Sequence, residues 1–523
     1  MAVTPTYPGV YIDELPSGVR TINGVSTSVT AFLGRAIRGP ANDPVTLDSF
    51  ADFERIFGGV WGDSPMTYAV RDYFLNGGNR AVVVRLYKAA GDSAGTPAGV
   101  GKATVTVGKD AGALSLEARS PGAWGNNIDL RIEVPGGGTG MFDLKLRDAT
   151  TGELEVFRNL SVDAASPRFV KRVLESDSQF VRMSGTAPTA TPPASGLSTG
   201  ATPTENWVDF TGGSDGQDLV SADYIGTATA KSGLYALDTV DSVNLLCVAQ
   251  PKFGTEIDTS VWAEAARYCT ARRAVLIVDP KESWCPSSGI IDRSTLLPAV
   301  SELSAAIGDN KKNAAFSYPR LRVTESGVTR SLPSCGTVAG VIARTDAQRG
   351  VWKSPAGVDA SLIGATQLSV KLTDAENGDL NQNAINCLRN LPASGRVVWG
   401  ARTLAGNDAT PSDWKYLSVR RMALHIEQSL LRGTQWAVFE SNDEPLWSQI
   451  RLNIGSFMND LFRKGAFAGR SPKEAYFVLC DSTTTTASDI NHGIVNIIVG
   501  FAPLKPAEFV VVKLQQIAGQ VAA

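Results

Sequence analysis

The chain has little of the chemistry that metal centres and nucleophilic active sites need. Its 523 residues include only two histidines and six cysteines. The cysteines are far apart and none forms a CxxC pair: Cys247, Cys269, Cys285, Cys335, Cys387 and Cys480. Structural zinc sites take their ligands from closely spaced pairs, and disulfide frameworks are typical of short chains with regularly spaced cysteines. We therefore expect no metal and no disulfide, and we expect reduced, mostly buried thiols.

Long apolar runs and an imbalance of charge are also missing. No stretch approaches the roughly 18 apolar residues of a membrane-spanning helix, and the first residues lack the basic and apolar regions of a signal peptide. Lys+Arg at 49 against Asp+Glu at 52 gives a net charge of -3. A global basic surface for nucleic acid is therefore excluded. We expect no nucleic acid partner and no direct membrane insertion.

Three motifs approach catalytic patterns without completing one. The segment "GTATAKS", residues 226–232, has Ala230 where a phosphate-binding loop needs glycine before the lysine. Cys480 and His492 would form a nucleophile pair only if the fold joined them. Asp279 ends an apolar strand where α/β enzymes place active residues. Ordinary structural roles explain all three motifs, so we expect no catalytic residue, no cofactor and no enzymatic activity.

The chain instead contains several blocks that differ in composition, and it is too long for one core. After residue 23, strand signals flank two helices, and the first helix begins at the cap Asp48 and ends at Gly58. Short alternating runs with Gly and Pro turns follow, and after residue 214 strands alternate with helices. The pattern predicts an α/β (α+β) core with an inserted small β-domain and extended terminal β-strand arms. The predicted segments are a 1–22 arm, a 23–88 first core part, an 89–213 inserted β-rich domain with a Pro/Thr-rich loop, a 214–500 second core part and a 501–523 arm.

Both ends of the chain carry apolar strands set off by prolines. In "YPGVYIDELP" Val10 and Ile12 point one way and Tyr11 the other. In "AEFVVVKL" Phe509 and Val511 alternate with Val510 and Val512. An apolar strand without a partner is an aggregation site. Both segments are therefore expected to pair with another strand.

Ordered matches along the chain resemble the contractile tail sheath family, which covers the sheaths of contractile-tailed phages, R-type bacteriocins and related contractile injection systems. The resemblance is densest at the two ends and weakest in residues 89–213. It is carried by "YPGVYIDELPSGVRTINGVSTSVTAFLGRAIRGP", "FERIFGG", "NGGNRAVVVRL", "PGAWGN", "TGGSDG", "GLYALDTVDSVNLLCV", "GVIARTDAQRGVWKSPAG", "WKYLSVRR", "GTQWAVFESNDEPLW", "FRKGAFAG", "CDSTTT" and "VGFAPLKPAEFVVVKLQQIAGQ".

The resemblance implies a structural protein that assembles with itself. Sheath subunits form six-membered rings, stacked helically around an inner tail tube protein, and baseplate and tail terminator or cap proteins close the ends. The terminal arms add strands to a neighbour's sheet. The expected arm strands contain Val10, Tyr11, Ile12, Phe509, Val510, Val511 and Val512, and the expected hinges are Gly18, Gly24, Gly500 and Pro503. The resemblance also implies assembly in the bacterial cytoplasm, followed by incorporation into a virion tail or injection particle.

One helix is a candidate for contact with the inner tube. The pattern predicts a helix over Pro445–Lys464, capped by Asn442 or Asp443 and stopped by Gly465. Family sheaths grip their tube through a helix near the C-terminus, commonly by complementary charge. We therefore expect that Arg451, Arg463 and Lys464 face an acidic tube.

Two other interpretations stay open at this point. A shell-forming or lattice-forming protein would share the composition, and an α/β enzyme would share the strand–helix alternation. Hollow striated tubes in the electron microscope would distinguish a sheath from a shell, and turnover of a nucleotide or ester would favour an enzyme. The sequence leaves open whether the particle is a phage, a bacteriocin or an injection system.

Overall fold

The computed structural model describes residues 20–89, 101–135, 140–195, 207–325 and 327–511. The strands in these residues, in chain order, are β1 (Thr30–Gly34), β2 (Val45–Leu47), β3 (Ala81–Arg85), β4 (Thr104–Val107), β5 (Leu114–Ala118), β6 (Ile128–Glu133), β7 (Met141–Asp148), β8 (Leu154–Ser161), β9 (Val181–Met183), β10 (Val208–Asp209), β11 (Leu245–Val248), β12 (Val275–Val278), β13 (Ala314–Tyr318), β14 (Leu321–Glu325), β15 (Val328–Leu332), β16 (Gln367–Leu368), β17 (Ile385–Leu391), β18 (Gly395–Val398), β19 (Tyr476–Leu479) and β20 (Ile498–Phe501).

The α-helices in the same residues are α1 (Phe50–Phe57), α2 (Pro65–Leu75), α3 (Val170–Asp177), α4 (Ser221–Ile225), α5 (Thr259–Arg272), α6 (Arg293–Ile307), α7 (Cys335–Arg349), α8 (Asp374–Gln382), α9 (Leu417–Gly433), α10 (Glu444–Arg463), α11 (Pro472–Ala475) and α12 (Ala487–Asn491). The prediction of a chain that mixes helices with sheets is confirmed. No helix in the described parts of the chain is both long and apolar enough to cross a lipid bilayer.

The chain divides into two compact units. The sheet unit comprises the described parts of 28–344 and 355–412, and the C-terminal unit comprises those of 1–27, 345–354 and 413–523. The sheet unit is built on an eight-stranded sheet in the order β18-β17-β13-β12-β11-β1-β3-β2. Its six inner strands are parallel, and the two edge strands are antiparallel. The inner strands are nearly continuous apolar runs because helices cover a parallel sheet on both faces.

Two smaller antiparallel sheets lie between β3 and β11 in the sequence. Their orders are β10-β6-β7-β8 and β4-β5-β9. Together with α3 they enclose an apolar core of their own, with Phe142, Leu146 and Phe180 fully buried. The buried Arg85 guanidinium at the end of β3 donates to the carbonyls of Ala36, Gly39 and Pro121. The loop before β6 is thus tied to the main sheet.

Helix boundaries follow local signals closely. Helix α1 ends at Gly58 in the left-handed conformation, as predicted, but its cap is Ser49 rather than Asp48. The Ser49 side chain accepts the backbone N–H of Asp52. Asp48 and Ser49 are both good cap residues, and the side chain of Asp48 instead pairs with Arg80. Helix α10 has the predicted cap Asp443.

Helices α2 and α7 pack backbone against backbone. A Cβ atom at Gly336 would lie 2.0 Å from the Ala69 carbonyl oxygen, and one at Gly340 would lie 2.5 Å from the Tyr73 carbonyl oxygen. Real Cβ atoms do not approach backbone this closely, and neither neighbour is a side chain that can rotate away. The two glycines therefore set the separation of the helices.

Replacing Gly336 with alanine should lower the free energy of unfolding by about 3 kcal/mol, because the helices must separate. Gly378 in α8 is the matched control, since a Cβ atom there meets nothing within 4 Å. Gly378→Ala should stabilise by about 0.5–1 kcal/mol through helix propensity. Urea unfolding followed by circular dichroism measures both variants. Equal midpoints for the two variants would contradict the packing argument.

Candidate inter-subunit surfaces

The first described residues are anchored on the C-terminal unit. Ile22 is buried in the core of that unit, and a Cβ atom at Gly433 would lie 2.5 Å from its side chain. The Arg20 backbone N–H donates to Asn453 Oδ1 at 2.9 Å, and its guanidinium lies 4.7 Å from the Trp436 ring centroid. The chain is therefore fixed from Arg20 onward.

A buried ion pair holds the other end of this segment. Arg421 on α9 donates to both carboxylate oxygens of Asp346, and the two side chains are 3% and 5% exposed. Thr27 joins the pair twice: its hydroxyl donates to Asp346 Oδ2 at 2.6 Å, and its carbonyl accepts from Arg421 at 2.9 Å. A buried pair with additional hydrogen bonds is costly to break, because one charge is left without compensation. Residues 20–27 are therefore held at both ends.

His425 lies beneath the middle of the anchored segment. A Cβ atom at Gly24 would be 3.2 Å from His425 Cε1, so glycine allows the chain to cross the ring. The Nδ1 atom of His425 has no hydrogen-bond partner among the described residues. Burial lowers the pKa of His425 to about 4; Asp346 opposes this shift, whereas Arg421 and Lys464 add to it.

Acid should therefore weaken the C-terminal unit through His425. The unfolded state takes up the proton first as pH falls below the ordinary pKa of about 6.5, so stability is full above pH 6.5 and falls down to about pH 4. The expected loss is roughly 3 kcal/mol, at about 1.4 kcal/mol per pH unit. His425→Gln should remove this contribution, whereas His492→Gln should retain it because His492 is exposed. Urea unfolding at pH 7 and pH 5 gives the change in the free energy of unfolding between the two pH values. An identical change in His425→Gln and His492→Gln would contradict this assignment.

Strands β19 and β20 form a two-stranded sheet with one apolar face exposed. No third strand joins it in the described part of the chain. The inner face packs on the core of the C-terminal unit through Tyr476, Val478, Val499 and Phe501. On the outer face, Phe477, Leu479 and Ile498 are between 41% and 50% exposed. Two-stranded sheets are marginal alone, and an exposed apolar pair of strands is a template for further strands.

The predicted hinges near the C-terminus have packing partners. Gly500 lies inside β20 opposite Phe477, and a Cβ atom there would lie 2.3 Å from the Phe477 ring. Pro503 forms an isolated bridge with Phe467. Gly24 contacts His425, as described above. These contacts explain why glycine or proline occupies the three positions. The predicted hinge role of these residues stays a prediction.

The last described residues are apolar and highly exposed. Phe509, Val510 and Val511 are 75%, 84% and 79% exposed and lie in no strand of the described chain. Three consecutive apolar residues in water are unfavourable for a monomer. Val10, Tyr11, Ile12, Gly18 and Val512 lie outside the described residues, so their predicted roles stay predictions.

The three cations of α10 have different surroundings. Arg451 donates to the Cys480 carbonyl and pairs with Glu444, which ties the helix to the end of β19. Lys464 is exposed and pairs with Asp460 on its own helix at 2.7 Å. Arg463 is exposed, and no ion pair of it is seen among the described residues. Spacing along the helix gave no signal that distinguished Arg451 from the other two.

Gly455 lies at the middle of α10 with open space around it. A Cβ atom there would meet nothing within 4 Å. Glycine inside a helix costs roughly 1 kcal/mol relative to alanine, and no contact among the described residues requires glycine at this position. This absence of an internal reason favours the close approach of another surface.

The enzyme-like motifs have structural roles. Asp279 Oδ1 accepts the backbone N–H groups of Ser334 and Cys335 at 2.7 and 2.9 Å, so it caps α7, and burial raises its pKa. Burial also raises the pKa of Cys480, which disfavours a thiolate, and the ring of His492 is bonded to a carbonyl on α12. All six cysteines are buried and unpaired.

The 226–232 loop closes on itself. A Cβ atom at Gly226 would lie 1.9 Å from the Ser232 carbonyl oxygen, and Thr227 N donates to Ser232 Oγ at 3.2 Å. The turn therefore binds its own atoms instead of a phosphate. The described residues also contain no group of three or more His, Cys, Asp or Glu side chains placed to hold a metal ion.

Two family models match the chain. The phage tail sheath protein central domain matches residues 222–404, and the phage tail sheath C-terminal domain matches residues 409–517. Together they cover more than half of the sequence. The chain belongs to the phage tail sheath family. The curated relatives of this family member include the tail sheath protein of Enterobacteria phage T4, 26% identical over 41% of this chain and 30% of the relative.

Another relative is a putative prophage major tail sheath protein of Pseudomonas aeruginosa (strain UCBPP-PA14), 29% identical over 36% of this chain and 48% of the relative. The sheath chain thus spans less than half the length of these curated relatives. Its fold is similar to the helical sheath of the anti-feeding prophage in its contracted state, with 22% identity, TM-score 0.57, and coverage of 98% and 100% of the two chains. It is also similar to a sheath tail protein from Listeria innocua, with 15% identity, TM-score 0.59, and coverage of 92% and 96%.

Proposed function

We propose that this protein is the structural subunit of a contractile tail sheath, which assembles with itself into stacked hexameric rings around an inner tube. The observation that carries the proposal is the combination of sheath family membership with an exposed strand pair. The apolar segments at the chain ends, which the sequence predicts to be strands, add to it. On contraction the subunits turn as rigid bodies and the tube is driven through a target envelope. No catalytic step is part of this role.

We place the inter-subunit contact at the β19–β20 pair. The outer edges of the pair offer main-chain donors and acceptors to strands from another copy, and the exposed face offers Phe477, Leu479 and Ile498 to apolar side chains. The donated strands are the segments around Val10–Ile12 and Phe509–Val512. Because each copy both gives and accepts strands, the contact is head-to-tail and builds rings or helices.

The contacts of Arg20 and the Phe467–Pro503 bridge mark where each arm is attached to the C-terminal unit. The last residues of the N-terminal arm (1–22) are anchored from Arg20 onward, so its donated part would precede Arg20, close to the proposed hinges Gly18 and Gly24. The C-terminal arm begins after the Phe467–Pro503 bridge, close to Gly500 and Pro503. Main-chain pairing at the neighbour and flexing at Gly18 and Pro503 would keep neighbouring subunits connected while they rotate. Gly24 and Gly500 would take part only when the contacts that hold their segments are released.

Contact with the inner tube is assigned to the exposed end of α10. Arg463 and Lys464 lie at its last turn, and both are exposed. Arg451 belongs to the same proposed surface, but its pairing with Glu444 gives it a role inside the chain as well. Each exposed ion pair contributes only about 0–1 kcal/mol. Binding of the sheath to the tube would therefore depend on the same weak pairs repeated over many subunits, and the sheath could detach from the tube on contraction.

Further parts of the proposal concern organisation and partners. The two small sheets between β3 and β11 support an inserted β-rich domain within 89–213, flanked by core segments 23–88 and 214–500 and arms 1–22 and 501–523. Besides itself and the tube protein, the sheath would bind baseplate and terminator or cap proteins. It would assemble in the bacterial cytoplasm and end in a virion tail or an injection particle.

Negative-stain electron microscopy of the purified protein tests the function. A sheath should form hollow, transversely striated tubes. Closed shells or flat lattices would support the alternative self-assembling protein, and a monomer that turns over a nucleotide or an ester would support an enzyme. Either result would overturn the proposal.

A further inference from the structure

The turn between α9 and α10 presents an aromatic side chain wholly to water. Phe439 is 104% exposed, the highest value for a large apolar side chain among the described residues, and the preceding Val438 is 63% exposed. Single apolar residues on a surface are ordinary, but a fully exposed phenylalanine beside an exposed valine is a concentrated apolar projection.

The backbone at this position is strained. Phe439 has φ +69°, in the left-handed region that residues with a bulky side chain rarely adopt. Glycine or asparagine would occupy this conformation more easily. Strained backbone conformations are concentrated at functional sites. An exposed phenylalanine in a left-handed conformation therefore indicates a function for this position.

The turn itself is well fixed. The Trp436 ring lies under the Arg20 guanidinium. Asn442 donates to the Ile494 carbonyl at 3.0 Å and accepts from Trp447 Nε1 at 2.9 Å. Phe439 is therefore held outward between two anchored points, which is the arrangement expected of a preorganised binding anchor.

We propose that Phe439, together with Val438, is an anchor that inserts into an apolar site on a second copy of this chain. The inference rests on the proposed function and adds a side-chain contact to the main-chain pairing of the arms. Strand pairing provides strength without fixing side chains, whereas an inserted aromatic side chain fixes the position of one subunit on the next.

The position of the turn favours another sheath copy over the tube. Phe439 precedes the N-terminus of α10, whereas Arg463 and Lys464 lie at its C-terminus, and a helix of 20 residues is about 30 Å long. Glu440, Asp443 and Glu444 follow the anchor within five residues, and all three are exposed, although Glu444 also pairs with Arg451. An acidic tube that attracts the C-terminal end of α10 would repel this end.

The test separates assembly from folding. Phe439→Gly relieves the backbone, so the unfolding midpoint of the monomer should stay equal or rise. The protein concentration required for tubes should nevertheless rise at least tenfold. Phe439→Asn should behave in the same way, because asparagine also tolerates a left-handed backbone. Phe439→Leu should require a protein concentration for tubes between those of Phe439→Asn and the wild type. Tubes from Phe439→Gly at wild-type concentration would overturn the proposal, as would a lower midpoint in both Phe439→Gly and Phe439→Asn.

A photo-reactive benzoylphenylalanine at position 439 identifies the occupant. In tubes assembled with the inner tube protein, the cross-link should join two sheath copies. A cross-link to the tube protein alone, or none in well-formed tubes, would overturn the proposal while leaving the sheath function intact. A wild-type protein that forms no tubes would instead contradict the proposed function, and with it this inference.

Discussion

Removing residues 1–18 should abolish tube formation and leave the monomer folded, with the free energy of unfolding unchanged to within about 0.5 kcal/mol. Deleting 505–523 should have the same effect. The reason is that the described anchors on the C-terminal unit begin at Arg20, and that beyond the Phe467–Pro503 bridge the described contacts include a 3.5 Å hydrogen bond from the Tyr416 hydroxyl to Glu508. Each deletion is therefore expected to take away a donated strand and little of the core. Analytical ultracentrifugation and electron microscopy measure assembly, and urea unfolding measures stability.

A longer deletion provides the contrast. Removing residues 1–27 also takes away Ile22 and the Thr27 contacts with the Asp346–Arg421 pair. Loss of a buried Ile side chain alone costs about 2–5 kcal/mol, so this variant should be less stable as a monomer.

Val511→Pro is a milder test of the other arm, because proline removes one ladder donor. Long sheaths from the protein lacking 1–18 or 505–523 would rule out strand donation.

Reversing the charges of Arg463 and Lys464 should separate sheath self-assembly from tube binding. The double variant Arg463→Glu with Lys464→Glu should still form tubes of sheath alone, because the arms are intact. Extended sheath on inner tubes should fall at least tenfold, since weak ion pairs repeated over many subunits change sign together. Particles are counted in electron micrographs after co-expression with the tube protein.

Lys171 and Arg172 on α3 provide the matched control. They are another adjacent Lys–Arg pair on an exposed helix face. Lys171 lies 3.9 Å from Glu175 one turn away, and Lys464 likewise has an acidic neighbour one turn away, Asp460 at 2.7 Å. Reversing both should leave extended particles unchanged. Arg451 is unsuitable as a first test because its loss would also release the Cys480 carbonyl and Glu444. Normal extended particles from the Arg463–Lys464 variant would remove this helix end as the tube contact.

Local sequence signals located the elements well because they act over a few residues. The Asp443 cap and the stop at Gly465 gave the ends of α10, and Gly58 gave the end of α1. The cap of α1 was misplaced by one residue, since two adjacent side chains were competent. The Asp48 side chain pairs instead with Arg80, 32 residues away, and local signals carry no information about such a contact.

Contacts between distant residues could not be predicted. Thr30 pairs with Leu245 across 215 residues, and periodicity carries no information about which strands are neighbours. The sequence assigns Ile22 to the N-terminal arm, whereas in the structure its side chain packs directly on Gly433. The exposure of the β19–β20 face, the tie between Arg451 and the Cys480 carbonyl and the outward position of Phe439 all depend on tertiary packing. The sequence predicts strands in the arms, and that stays a prediction, whereas the pairing and the exposed face of the sheet proposed to receive them could not be predicted from it.

The most direct test of strand donation is a cryo-electron microscopy map of tubes assembled from the full chain, resolved well enough to trace the backbone. Strand donation predicts that the β19–β20 pair of each subunit becomes a larger sheet, with the segment around Val10–Ile12 of one neighbour and that around Phe509–Val512 of a neighbour added at its edges. A map in which both terminal segments pair within their own subunit, or in which β19–β20 stays two-stranded, would contradict it.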